Sequence, residues 1–217
     1  MSTTDMTALN LTIERLLPEP GSKIIMVSGS QQGEGVSTIA CELAIAAATK
    51  LGKKVLVLDA AHRNPSQHSL LRVRRPNVTD KNDCSTGLGC SHSSVTNLCV
   101  ATFPKTYGDT STGDPFQKIL WCDLKSCFDL VVIDSSSVLS VGQISLVRHV
   151  DGVLLVMAAE KSDRSTVGAF IAEVHAYGGN LLGVVFNKRK DHVPPVLLSW
   201  VTRIDKLLDG YKEKSSE

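Results

Sequence analysis

Five aliphatic runs, apolar at consecutive rather than alternate positions, constrain this chain more than any other feature. They are Ile24-Ile25-Met26-Val27, Val55-Leu56-Val57-Leu58, Leu130-Val131-Val132-Ile133, Val153-Leu154-Leu155-Val156 and Leu181-Leu182-Gly183-Val184-Val185-Phe186. A strand reads this way when both faces of its sheet are covered, as in a parallel sheet between helices. Helical patterns lie between the runs. Residues 37–51 are rich in Ala and Leu and stop at Gly52, and residues 164–177 follow Ser162-Asp163 and stop at Gly178-Gly179. The expected fold is α/β: a doubly wound, mainly parallel sheet flanked by helices in three layers.

The chain divides into an N-terminal arm or helix (1–22), a single domain (23–211) and a polar tail (212–217). Within the domain, 62–118 is crowded with Ser, Thr, Asn, Asp, Gly and Pro and reads as long connections with short elements. Residues 196–211 place Leu197, Leu198, Val201, Ile204, Leu208 and Tyr211 near helical spacing. They read as a closing core helix, with a membrane-surface helix as the alternative. Lys+Arg at 23 against Asp+Glu at 22 leaves a formal charge of +1, and aromatics make up 5%. That balance removes the electrostatic and base-stacking arguments for nucleic acid. No run of about 18 apolar residues and no signal-peptide pattern is present, so the expectation is a cytoplasmic protein whose six cysteines are reduced.

The stretch that carries chemistry is Val27-Ser28-Gly29-Ser30-Gln31-Gln32-Gly33-Glu34-Gly35-Val36-Ser37-Thr38. It follows the first strand and opens the first helix after it, the context of a phosphate-binding loop. Glycines there let backbone N–H groups and a helix N-terminus converge on an anion. A P-loop ends Gly-Lys-Ser/Thr, with the Lys reaching the β/γ-phosphates and the hydroxyl holding Mg²⁺. Here the Lys position is Val36.

Together with Leu43-Ala44 and Gly52-Lys53-Lys54-Val55-Leu56-Val57-Leu58-Asp59, this loop resembles the CpsD/CapB-like bacterial tyrosine kinases of capsular polysaccharide synthesis. These belong to the ParA/MinD group of P-loop ATPases. The resemblance continues through Arg63-Asn64-Pro65, Phe128-Asp129-Leu130 to Asp134, Asp151-Gly152-Val153, and Leu182-Gly183-Val184-Val185-Phe186-Asn187-Lys188, spanning roughly residues 23–190. It implies a P-loop NTPase-like fold. It also implies that Gly33 and Gly35 shape the loop and that N–H groups from Glu34, Gly35, Val36, Ser37 and Thr38 face phosphates. Ser37, Asp59 and Asp134 match the family's Mg²⁺-side residues, and Asn187 falls where the family contacts the adenine ring.

The departures sit at the chemically demanding positions. Val36 replaces the Lys, and Ala61 stands at the second aspartate of the family's Asp-x-Asp. The family's Asp-x-Pro-Pro has become Asp134-Ser135-Ser136-Ser137, and the Asp expected soon after is Gly142 or Gln143. Of the C-terminal tyrosine cluster only Tyr211 remains, and the N-terminal Glu/Arg motif is reduced to Glu14-Arg15. Phosphoryl transfer depends almost wholly on positioning and charge stabilisation. Losing one charge-assisted phosphate contact costs on the order of 2–3 kcal/mol of binding, and more in the transition state.

The resemblance with these losses implies a catalytically degenerate P-loop protein. It would act as a regulatory or scaffolding partner in exopolysaccharide or capsule biosynthesis or export. The partner implied is a membrane-anchored polysaccharide co-polymerase or an active ATPase homologue, with the membrane reached only through that partner. Two readings of the nucleotide site stand: it holds ATP or ADP with Mg²⁺ weakly, or the same residues only preserve turns, strand ends and a helix start. A divergent ATPase drawing its cation from Arg63, Lys161 or a partner is the alternative of the enzyme class. An interaction module that binds no nucleotide is the third.

Other constellations are weaker. Cys84, Cys90, His92 and Cys99 cluster without any C-x₂-C pair, so no zinc is expected. Cys41 reads as core, while Cys122 and Cys127 read as small hydrophobes facing apolar neighbours beside the third aliphatic run. Ser135-Ser136-Ser137 lacks a Gly-x-Ser-x-Gly elbow. His62 reads as a surface or supporting histidine, and Lys188-Arg189-Lys190 as a solvated loop able to contact an acidic partner.

Overall fold

The computed structural model describes residues 3–60, 67–71, 73, 90–103, 114–135, 144–159 and 162–188. In order these form α1 (Thr3–Leu16), β1 (Lys23–Gly29), α2 (Val36–Lys50), β2 (Val55–Asp59), α3 (Gln67–Leu70), β3 (Ser91–His92), β4 (Leu98–Thr102) and α4 (Asp114–Cys127). Then follow β5 (Leu130–Asp134), a 3₁₀ turn (Ser145–His149), β6 (Gly152–Ala158), α5 (Arg164–Ala176) and β7 (Leu181–Asn187). The expected helix 196–211 and the tail 212–217 lie outside the described residues, as do Ala61, His62, Arg63, Cys84, Ser136, Ser137, Gly142, Gln143 and Lys161.

The seven strands form one sheet in the order β3-β4-β2-β5-β1-β6-β7. Only β3 and β4 pair antiparallel; every other pairing is parallel. This is the doubly wound α/β architecture that the aliphatic runs predict. Alternate residues of each strand feed two cores. Ile24, Met26, Leu56, Leu58, Val131 and Ile133 face α4 and α5 with Trp121, Leu124, Phe128, Phe170 and Val174. Ile25, Val27, Val55, Val57, Leu130 and Val132 face α2, and Met6 and Ile13 of α1 join that cluster. A strand covered on both faces has no polar alternate positions, which explains the unbroken runs of β1, β2, β5 and β6; β7 departs from this, since it lies at the sheet edge with Val184 and Phe186 exposed.

The stretch 62–118 holds more structure than its composition signals. Leu98–Thr102 is an interior strand, paired with β2 from Val55↔Leu98 to Asp59↔Thr102. Its Cys, Ala and Thr dilute the aliphatic pattern. Cys122 departs from expectation: it is exposed on α4, whereas Trp121 and Leu124 are buried. The segment beside the third run is a helix, and about 100° of rotation per residue turns position 122 away from the core. Cys127 packs against the core edge, and Cys41 is buried. Burial pushes the Cys41 thiol up to about 11, with smaller contributions from Glu42 and Asp134.

Candidate functional site

The described site residues named from sequence lie where the carboxyl ends of β1, β2, β5 and β7 meet the N-terminus of α2, the edge at which open α/β sheets bind ligands. The loop from β1 to α2 turns through Gly33 (φ 84°) and Gly35 (φ 93°), both left-handed. Gly35 is the N-cap of α2 and offers no side-chain cap. The first N–H groups of the helix are thus left for an external acceptor. A Cβ on Gly35 would collide with the Asn187 side-chain amide and displace it, and the left-handed backbone itself favours glycine there.

The loop is braced from the far side of the sheet. Asn187, at the end of β7, donates from Nδ2 to the Glu34 carbonyl at 2.9 Å. Lys188 donates from Nζ to the Gly33 carbonyl at 2.7 Å. The Glu34 carboxylate is fully buried and turned inward. It accepts from Ser30 Oγ and Gln31 N, each at 2.9 Å, and from the Ser162 hydroxyl. Ser162 Oγ in turn accepts from Ala158 N at 3.1 Å, tying the loop to the end of β6. The neighbouring Asp163 caps α5, accepting from Ser165 N at 2.9 Å and Thr166 N at 3.0 Å. It also accepts from Gln31 Nε2 at 3.0 Å. Hydrogen bonds from the Ser165 and Thr166 side chains hold its carboxyl well below the usual carboxylate range.

Val36, at the expected Lys position, is buried with Ile39, Ala40 and Leu43 in the α2-side core. Ser37 lies in the first turn of α2, and Thr38 beside it is exposed. Asn187 serves this loop as a brace; its nitrogen is engaged with Glu34.

On the other side, Asp59 and Asp134 are register partners at the ends of β2 and β5, and both are buried. Gln67, the first residue of α3, joins them. Its N–H donates to Asp59 Oδ2 at 2.9 Å, and its Nε2 donates to Asp134 Oδ2 at 2.6 Å and to the Ser37 carbonyl at 2.9 Å. Two acceptors fix which way the carboxamide points. Gln67 Oε1 is left buried with no hydrogen-bond partner, an arrangement that costs about 1–3 kcal/mol.

Hard divalent cations take carboxylate and hydroxyl oxygens, and an N–H on a carboxylate oxygen competes with a cation for that oxygen's lone pairs. Ser37, Asp59 and Asp134 have that chemistry, but one inner oxygen of each carboxylate receives an N–H of Gln67. As arranged, a magnesium ion would compete with Gln67 for Oδ2 of both carboxylates.

Gln67 and the loop contacts of Ser162 and Lys188 are additions that the sequence did not single out. Lys188 belongs to a run read as a solvated patch, and Gln67 is one polar residue in a polar stretch. Ser135 donates to the Val27 carbonyl at 3.0 Å and is committed to the sheet. His92 Nδ1 lies 3.4 Å from Cys99 Sγ. Among the described residues no group of three or more His, Cys, Asp or Glu could hold a metal ion.

A glycine loop between the first sheet strand and a helix, with two aspartates at neighbouring strand ends, defines a P-loop NTPase-like domain. Structures of that class share the fold. The kinase domain of the Escherichia coli tyrosine kinase ETK superposes with a TM-score of 0.71 over 88% of this chain and 78% of that one, at 22% identity. MinD of Pyrococcus horikoshii, complexed with Mg-ADP, superposes with a TM-score of 0.58 over 81% and 75%, at 19% identity. In sequence the chain is similar to the tyrosine-protein kinase YwqD of Bacillus subtilis, 26% identical over 181 residues, which are 77% of this chain and 73% of the relative. No family model matches the chain. The chain is likewise similar to the tyrosine-protein kinase CpsD of Streptococcus agalactiae, 25% identical over 180 residues, which are 79% of this chain and 77% of that relative. No helix among the described residues is long and apolar enough to cross a membrane.

Proposed function

We propose that this protein is a catalytically degenerate relative of the capsular tyrosine kinases that works as a regulatory or scaffolding partner in exopolysaccharide or capsule biosynthesis or export. It acts in the cytoplasm, at the inner face of the membrane. It is recruited there by a membrane-anchored polysaccharide co-polymerase or by an active ATPase homologue. ATP or ADP binds weakly or not at all. The observation that carries this reading is Val36. The loop around it is fully formed, yet the position that should place an ammonium on the phosphates is an apolar side chain buried in the core. Phosphoryl transfer without that charge loses its main source of stabilisation.

Calorimetric titration with MgATP and MgADP, alongside a turnover assay, tests the proposal. Weak or absent heat and no turnover are expected; micromolar binding with measurable turnover would sink it. A second reading, a divergent ATPase with a cation from elsewhere, draws support from Lys188, whose ammonium already lies against the Gly33 carbonyl. Under that reading Lys188→Ala abolishes turnover. Under the first there is none to abolish. An interaction module without nucleotide is separated from both by thermal shift. If MgATP stabilises Val36→Lys/Ala61→Asp but not the wild type, the ancestral site persists as geometry alone.

A further inference from the structure

Gln67 touches both carboxylates of the acidic side with one residue. Its backbone N–H meets Asp59 Oδ2 at 2.9 Å, and its side-chain Nε2 meets Asp134 Oδ2 at 2.6 Å. The same Nε2 donates to the Ser37 carbonyl at 2.9 Å, so the carboxamide bridges the end of β5 and the first turn of α2. These are the three residues that the family resemblance puts on the Mg²⁺ side. The positive edge of an amide is placed where a cation's charge would otherwise meet the carboxylate.

We infer that the Gln67 side chain is a built-in substitute for the divalent cation, closing the Asp59–Asp134 site to metal until the carboxamide is moved out. Three observations support it. The side chain is fully buried, so it is not a surface group that swings freely. Its backbone is anchored on both sides, by the N–H to Asp59 and by its carbonyl, which accepts from Leu71 N at 2.9 Å. And Oε1 has no donor, although a buried amide in an ordinary structural role satisfies both ends. The Nε2 contacts are therefore made at the expense of Oε1. That is the arrangement expected when the carboxylate's need for a donor decides the orientation.

The opposite role is also concrete: Oε1 could itself be a metal ligand awaiting its ion. The two roles predict opposite signs. The test is titration of the full chain with Mn²⁺ alone, read by the loss of free-ion electron spin resonance signal, for wild type, Gln67→Leu and Gln67→Ala. Wild type is expected to bind Mn²⁺ only at roughly millimolar concentration, and both variants at least about tenfold more tightly, since each frees a charge-assisted contact of Asp134. Equal affinity in all three, or weaker binding in the variants, overturns the inference. If both variants fail to fold, the wild type still decides. The side-chain NH₂ resonances of Gln67 should stay sharp with stoichiometric Mn²⁺, and broadening at that level overturns the substitution. The inference goes beyond the non-catalytic reading and stands without it. The titration contains no nucleotide, so its failure is distinct from any finding of ATP turnover.

Discussion

The two sides of the strand ends have been treated differently. On the loop side, three side chains from distant parts of the chain (Ser162, Asn187 and Lys188) bond to Glu34 or to loop carbonyls. Those contacts shape the loop and leave the helix N-terminus uncapped by any side chain. On the acidic side Gln67 bonds to both carboxylates that a cation would use. The loop keeps the geometry for an anion with Val36 where the cation is expected, while the acidic side keeps its carboxylates with a donor already in place. The difference teaches that a loop's bracing and its reactivity use different atoms, so a phosphate loop can be held in shape whatever stands at position 36.

The sharpest way to break this comparison is Glu34→Ala. It strands Ser30, Gln31 and Ser162 donors around a buried space and should cost about 3 kcal/mol in urea unfolding. Gln67→Leu, which also removes the unpartnered Oε1, should cost clearly less. Equal losses would mean that the two sides are alike. Next comes Gly35→Ala, where left-handed strain adds to the collision with Asn187, for about 2 kcal/mol. In a double-mutant cycle with Asn187→Ala part of that loss should vanish, since the colliding atom is gone. Simple additivity would show that the backbone angle alone demands glycine.

The smallest effect is expected at Asp163, which is exposed. Its carboxyl is held below its unfolded value by hydrogen bonds from the Ser165 and Thr166 side chains. A depressed carboxylate stabilises the fold above its unfolded pKa, and that contribution fades as pH falls through the folded value. Asp163→Ala should therefore be less stable than wild type near neutrality, with the gap narrowing as the solution is acidified below the ordinary carboxylate range. A gap independent of pH would assign the cap's role to packing.

Much of the fold was legible because its signals are local. Consecutive aliphatic residues mark a strand covered on both faces, and the run 37–51 differs from the observed helix Val36–Lys50 by one residue at each end. Ser162-Asp163 was readable as a helix start, and Asp163 is the cap. β4 was hidden because Cys, Ala and Thr are apolar enough to be buried and too mild to stand out. The loop's glycines and the Val36 substitution were plain in sequence. Its braces were not, since Asn187–Glu34 and Lys188–Gly33 join residues 153 and 155 positions apart. Gln67 meets Asp134 across 67 positions, and nothing in a polar stretch marks one glutamine as buried. Motif logic found the residues that a catalyst would need. It could not find Gln67 or the loop's braces, because they follow no motif.

The central claim is that the loop survives without its chemistry, and steady-state hydrolysis of MgATP by wild type and Lys188→Ala, measured side by side, tests it most directly. The account predicts no release of phosphate above background from either protein. Measurable turnover by wild type that disappears in Lys188→Ala would contradict it, by showing that a cation from the end of β7 does the work expected at Val36.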